Sequence, residues 1–232
     1  FSTHLANILG TSNDYDLSII AEFFCNKKSE TALIDELQRS FTTRAVKQYH
    51  TEIAKIPWKR VYTTNYDDCF EFSALQAGSK WRSVSVEEKP TGNSNLCVHI
   101  NGHLNNLTVD SMKSQVKLTH SSYSAESFSN NNWSHHLRQD LYAAKSVIFI
   151  GYSLADIDVA RLLFSSPELK DKVFFIVAPN ADEIGTAPLN KYGHVLPIGV
   201  ENFANKAKDV EMPEEEPPHV YTWLKKYDSE IL

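Results

Sequence analysis

Cysteine is scarce in this 232-residue chain. There are three, at positions 25, 69 and 97, and no two of them form a Cys-x-x-Cys pair. A structural zinc module built from two such pairs is therefore excluded. An odd, widely spaced set also reads as reduced thiols rather than a disulfide framework, and no secretory leader is recognisable, so a cytoplasmic setting is expected. No apolar run approaches the roughly 18 residues of a membrane span, so no membrane partner is expected. Basic residues are outnumbered, 23 Lys and Arg against 29 Asp and Glu, for a net charge of -6. That balance argues against a nucleic-acid backbone as partner, because phosphate binding calls for a Lys/Arg surplus on some face. Low-complexity tracts and internal repeats are missing too. The chain opens on Phe1-Ser2 without a methionine and enters a helical pattern at once, which suggests a native start upstream.

What is present is ordinary globular composition, 42% hydrophobic and 22% charged, at a length that suits one large domain with an appendage. Residues 1–207 are expected to form that domain. The acidic, Pro-rich run Glu211 to Pro218 marks 208–218 as a linker, and 219–232, with Tyr221, Trp223 and Leu224, suits a short amphipathic helix.

Helical periodicity runs over 3–10, closed by Gly10, and over 15–24, where Ile19, Ile20, Phe23 and Phe24 fit one face. A second stripe holds Leu33, Ile34, Leu37 and Phe41, starting near Ser29 or Thr31. A more polar helix over 43–55 is stopped by Pro57 and contains His50, a residue with no assigned role. Apolar strands are expected at 60–64, 81–86, 96–100, 146–150, 173–178 and 194–198. Helices over 67–76, 133–144, 157–164 and from 201 alternate with them. The last-named stretch but one puts Ile157, Ala160, Leu163 and Phe164 on one side. The run Ser146 to Ile150 is continuously apolar, the mark of a central strand buried on both faces. This alternation predicts an α/β, Rossmann-like, doubly wound and mostly parallel sheet flanked by helices.

In such a sheet ligands bind at the carboxyl ends of the strands, and here those ends carry small and polar residues. The first is Thr63-Thr64-Asn65-Tyr66-Asp67, the second Asn101-Gly102-His103, the third Gly151-Tyr152-Ser153-Leu154-Ala155-Asp156, with Asn180 and Gly199 closing later strands. Together they suggest a nucleotide-sized ligand. Asn65 offers donor and acceptor without charge, and Asp67 suits ribose hydroxyls. The plain alternative is that Thr, Asn and Asp merely cap the next helix. At the third end Gly151 admits close backbone approach and Ser153 adds a hydroxyl beside freed amides. Asp156 is read as a ribose contact and Asp158 as a helix cap. The Ser/Asn-rich loop 119–132, with Tyr123, is either a lid or variable surface.

The motifs Thr63-Thr64-Asn65-Tyr66-Asp67 and Gly151-Tyr152-Ser153-Leu154-Ala155-Asp156, with a His/Gly-bearing strand between them, resemble the sirtuin-like family. The closer likeness is to its prokaryotic antiphage-defence branch, a likeness that Pro197 to Ala204 extends. The resemblance implies NAD as substrate, with no metal, and cleavage of the nicotinamide–ribose bond to nicotinamide and ADP-ribose, depleting NAD in an infected cell. By that likeness Asn65 would orient water or ribose, and Asp67 would hold the nicotinamide ribose. Thr63 and Thr64 would stand with them; Gly151, Ser153 and Asp156 would line the adenosine half, Asn180 would lie near the adenine ribose, and Gly199 behind. An activating partner or homo-oligomer is implied as well.

There are two departures from the family pattern. Its Gly-Ala-Gly phosphate loop is absent from these residues, and its His-Gly pair reads Asn101-Gly102. Either His99 or His103 then serves as base, or Asn101 occupies the base position and chemistry is impaired. Three readings follow: an NAD hydrolase; a protein deacylase, disfavoured by the missing Cys-x-x-Cys zinc module; or a non-catalytic NAD or ADP-ribose sensor.

Overall fold

The computed structural model describes residues 1–90, 95–104, 107–110, 112, 118–119, 132–152, 154 and 156–210. Four helices come first: α1 (Ser2–Leu9), α2 (Leu17–Lys27), α3 (Glu30–Phe41) and α4 (Gln48–Lys55). Then follow β1 (Val61–Thr63), α5 (Cys69–Gln76), β2 (Arg82–Ser85), β3 (Leu96–His99), α6 (Asn132–Ala143), β4 (Val147–Ile150) and α7 (Ile157–Phe164). A 3-10 turn, Pro167–Lys172, leads to β5 (Val173–Ile176). After α8 (Glu183–Thr186) and a second 3-10 turn come β6 (His194–Leu196) and α9 (Gly199–Ala207). No helix among the described residues is long and apolar enough to cross a membrane.

Among the described residues every strand pairing is parallel, as the alternating pattern predicts, and the strands form two sheets of three, ordered β1-β3-β2 and β4-β5-β6. The middle strand of the first sheet is buried throughout, Leu96 to His99 being at most 1% exposed. A core joins the two sheets: Val84, Leu96 and Val98 share it with Val173 and Phe175, and Trp133, Leu137 and Leu141 of α6 fill it. A second core is helical. Leu5, Ile20, Phe24, Leu33 and Leu37 from α1–α3 close over Leu104 and Leu107, with Tyr66 packed at its edge.

Local signals account for the helix ends. Gly10 takes the left-handed conformation at the end of α1, with φ +66°, where an L side chain would be strained. Ser29 starts α3 by accepting a hydrogen bond from the Ala32 amide at 3.0 Å. The helix before Pro57 is shorter than its pattern, beginning at Gln48 rather than 43. His50 has a part in that start: its Nδ1 accepts from the Lys47 amide at 3.1 Å, capping α4.

Three expectations about burial are corrected. On α2, Ile20, Ala21 and Phe24 are buried while Ile19 and Phe23 stand 46% and 43% exposed, because the covering helices reach only one stripe. On α7, Val159, Leu162 and Leu163 are buried while Phe164 is 75% exposed. Among the described residues the strongly apolar β4 is an outer strand, paired with β5 alone and half-buried at all four residues, so its apolar run did not signify a central position. Ser153, Tyr123 with nearly all of loop 119–132, and residues 211–232 lie outside the described residues.

Candidate active site

The end of β1 and the end of β3 are stitched together along the backbone. Four successive carbonyls, those of Thr63, Thr64, Asn65 and Tyr66, each accept a hydrogen bond from the segment 99–104. Ile100 N–H donates to Thr63 at 2.8 Å, and the Asn101 side-chain amide to Thr64 at 3.4 Å. His99 Nδ1 donates to Asn65 at 3.1 Å, and Leu104 N–H to Tyr66 at 3.2 Å. The parallel register, which sets Thr63 beside His99, makes this stitching possible. With its backbone held this way, Asn65 is exposed where β1 ends.

Beneath it lies a buried polar cluster. His99 is fully buried, and its Nε2 meets Glu71 Oε1 at 2.9 Å. Both partners of the ring, a carbonyl and a carboxylate, accept only, so this geometry calls for an N–H on each nitrogen. Ser83 of β2 also donates to Glu71 Oε1, at 2.6 Å. Burial works against ionisation of Glu71, but the hydrogen bond and charge of His99, with the Ser83 hydroxyl, hold it below the usual carboxylate range. His103 lies against His99 with ring centroids 4.2 Å apart. Burial, and then the positive charge of His99, push the His103 imidazole down to about 4, which keeps it neutral near pH 7. Its Nε2 has no hydrogen-bond partner among the described residues, nor have Asn101 Oδ1 and Glu71 Oε2.

The carboxylates of the two strand-end motifs act in part as caps. Asp67 Oδ1 accepts from the Cys69 amide at 3.0 Å, at the start of α5, and Asp156 Oδ1 from the Val159 amide at 3.2 Å, in the first turn of α7. Asp68 reaches back to the Thr43 amide at 3.3 Å. On the second sheet, Gly151 leaves β4 exposed and left-handed at φ +65°, and Leu154, three residues on, is left-handed too at φ +59°. A branched side chain rarely adopts that conformation. Asn180 is exposed just after β5, and Gly199 (φ +74°) begins α9, its amide bonded to the Val177 carbonyl at 2.8 Å.

A family model described as a SIR2-like domain matches residues 59–196, which is 138 of the 232 residues. The chain belongs to the SIR2-like family. Proteins of this family use NAD, and the matched span begins just before β1 and ends with β6, so it takes in both sheets and every strand-end site residue except Gly199. No curated protein matches the chain.

Within this SIR2-like domain the structure brings Thr63, Thr64, Asn65, His99, Asn101 and His103 into one cluster, and it sets Gly151, Asp156, Asn180 and Gly199 at the strand ends of the other sheet. Sequence reasoning missed Glu71 and Ser83. Glu71 lies in the first turn of α5, four residues after Asp67, where an acidic residue reads simply as complementing the helix dipole. Nothing local marks Ser83 as its partner.

Proposed function

We propose that this domain hydrolyses NAD at the nicotinamide–ribose bond, releasing nicotinamide and ADP-ribose. The observation that supports the reading best is the pairing of an exposed Asn65, its backbone fixed by His99, with a neutral, buried His103 whose Nε2 has no described partner. Breaking this bond develops positive charge on the ribose, so the protein has to position water and stabilise a cation. Asn65 holds the ribose or the water through its amide. The carboxylate of Asp67, beside the same strand end, favours the developing charge. His103 takes the proton that the water loses as it adds to the anomeric carbon and nicotinamide departs. His99 is unsuited to that role, since both its nitrogens already donate, and Asn101 can position but cannot accept a proton. Gly151, Ser153, Asp156, Asn180 and Gly199 are assigned to the adenosine half.

The matching test incubates the protein with NAD and follows nicotinamide. Asn65→Ala is expected to lower turnover by at least about 100-fold, the scale of losing one oriented polar group, with the far-UV spectrum unchanged. Undiminished release by that variant rejects the assignment. NAD binding without release favours the sensor reading, and NAD-dependent consumption of an acyl-peptide the deacylase. The antiphage role is tested in bacteria: cellular NAD should fall on infection only when Asn65 is intact.

A further inference from the structure

Glu71, His99 and His103 place one ligand atom each within 4.8 Å of one another, all three under the surface that carries Asn65. His103 is 9% exposed and His99 fully buried. Two of the atoms without a described partner belong to this trio, Glu71 Oε2 and His103 Nε2. The carboxylate is served unevenly: Oε1 receives both the Ser83 hydroxyl and the His99 N–H, and Oε2 receives nothing among the described residues. A buried carboxylate oxygen and a buried imidazole lone pair are both electron-pair donors, and leaving either unmatched is unfavourable. What answers two such donors at once is a Lewis acid.

We propose that Glu71, His99 and His103 form a site for a zinc-type divalent cation, and that filling it silences the hydrolase by engaging His103. Two imidazoles and one carboxylate are a donor set that zinc accepts, leaving a fourth position for water. On binding, the Nε2 proton that His99 shares with Glu71 goes to solvent and the nitrogen lone pair goes to the metal. The Nδ1–H bond to the Asn65 carbonyl stays in place at 3.1 Å, the kind of outer contact that fixes which nitrogen of a ligand histidine is free. Ser83 steadies the carboxylate in the same way. The inhibitory half of this proposal rests on the hydrolase reading; the binding half does not.

The experiment uses the full chain stripped with a chelator. Titration with zinc sulfate in a calorimeter is expected to give one site per chain, and cobalt(II) should develop the visible bands of a tetrahedral N/O site. His103→Gln and Glu71→Gln, each checked for folding by circular dichroism, should weaken zinc by at least about 10-fold. No one-to-one binding by the native chain, or equal binding by native chain and His103→Gln, overturns the site. Nicotinamide release should fall in proportion to zinc occupancy and return with chelator; release unaffected at full occupancy overturns the regulatory half. If the chelated enzyme releases no nicotinamide at all, it is the hydrolase reading that fails, and the calorimetric and cobalt results still decide the metal site.

Discussion

His99 and His103 are four residues apart with nearly touching rings, yet their neighbours give them opposite duties. His99 is bracketed by two acceptors, and its main task is to hold the Asn65 backbone and to donate to Glu71. Replacing it with alanine strands a carboxylate whose side chain is only 12% exposed. His99→Ala should therefore cost about 3 kcal/mol or more in denaturant unfolding, the penalty for uncoupling a buried ion pair. His103→Gln strands no charge. It should change stability by under about 1 kcal/mol and lower the turnover number by roughly 100-fold or more, as loss of a positioned base does. Nicotinamide release and a urea melt, run on both variants, separate the two roles. The reverse pattern would exchange the assignments.

At the scale of single elements, α4 shows what a helical histidine can do that periodicity does not announce. Neutral His50 accepts the Lys47 amide, and burial, followed by the Lys47 charge, lowers its affinity for a proton below the ordinary 6.5. Because the protonated ring cannot accept, this cap is fully present above about pH 6.5 and is lost as pH falls through the lowered folded value. His50→Ala should cost about 0.5–1 kcal/mol at neutral pH and should flatten the decline in melting temperature between pH 7.5 and 5. An unchanged slope would deny the cap its role. The elements themselves were legible because their signals are local: apolar spacing in α3, the proline beyond α4, the glycine after α1. Which stripe of α2 is covered, and whether β4 lies inside or outside a sheet, depend on neighbours contributed by distant residues. The candidate site divides along the same line. Asn65 and His103 stand out as polar residues at strand ends, whereas the Glu71–His99–Ser83 contacts exist only because β3 enters between β1 and β2, an order no short stretch encodes.

Across the whole molecule, α6 fastens the two sheets to each other. Its Asp140 pairs with Arg60, just before β1, and receives the Tyr62 hydroxyl at 2.8 Å, while its Leu137 and Leu141 enter the core that β5 shares. The Arg60 side chain is 11% exposed, so Asp140→Ala leaves a largely buried guanidinium unpaired and should destabilise the fold by about 3 kcal/mol. Asp140→Asn, which keeps an acceptor for both partners, should cost less. Equal losses in calorimetric melting would mean that the charge is immaterial. Trp133 is wedged at this junction, wholly buried, its indole N–H on the Glu88 carbonyl at 2.7 Å and the Arg60 guanidinium 5.6 Å from its ring centre. Any parting of the halves must wet that ring first. In a variant whose other three tryptophans are replaced by phenylalanine, its emission should consequently redden ahead of the loss of helical ellipticity, giving an optical gauge of the junction that needs no label.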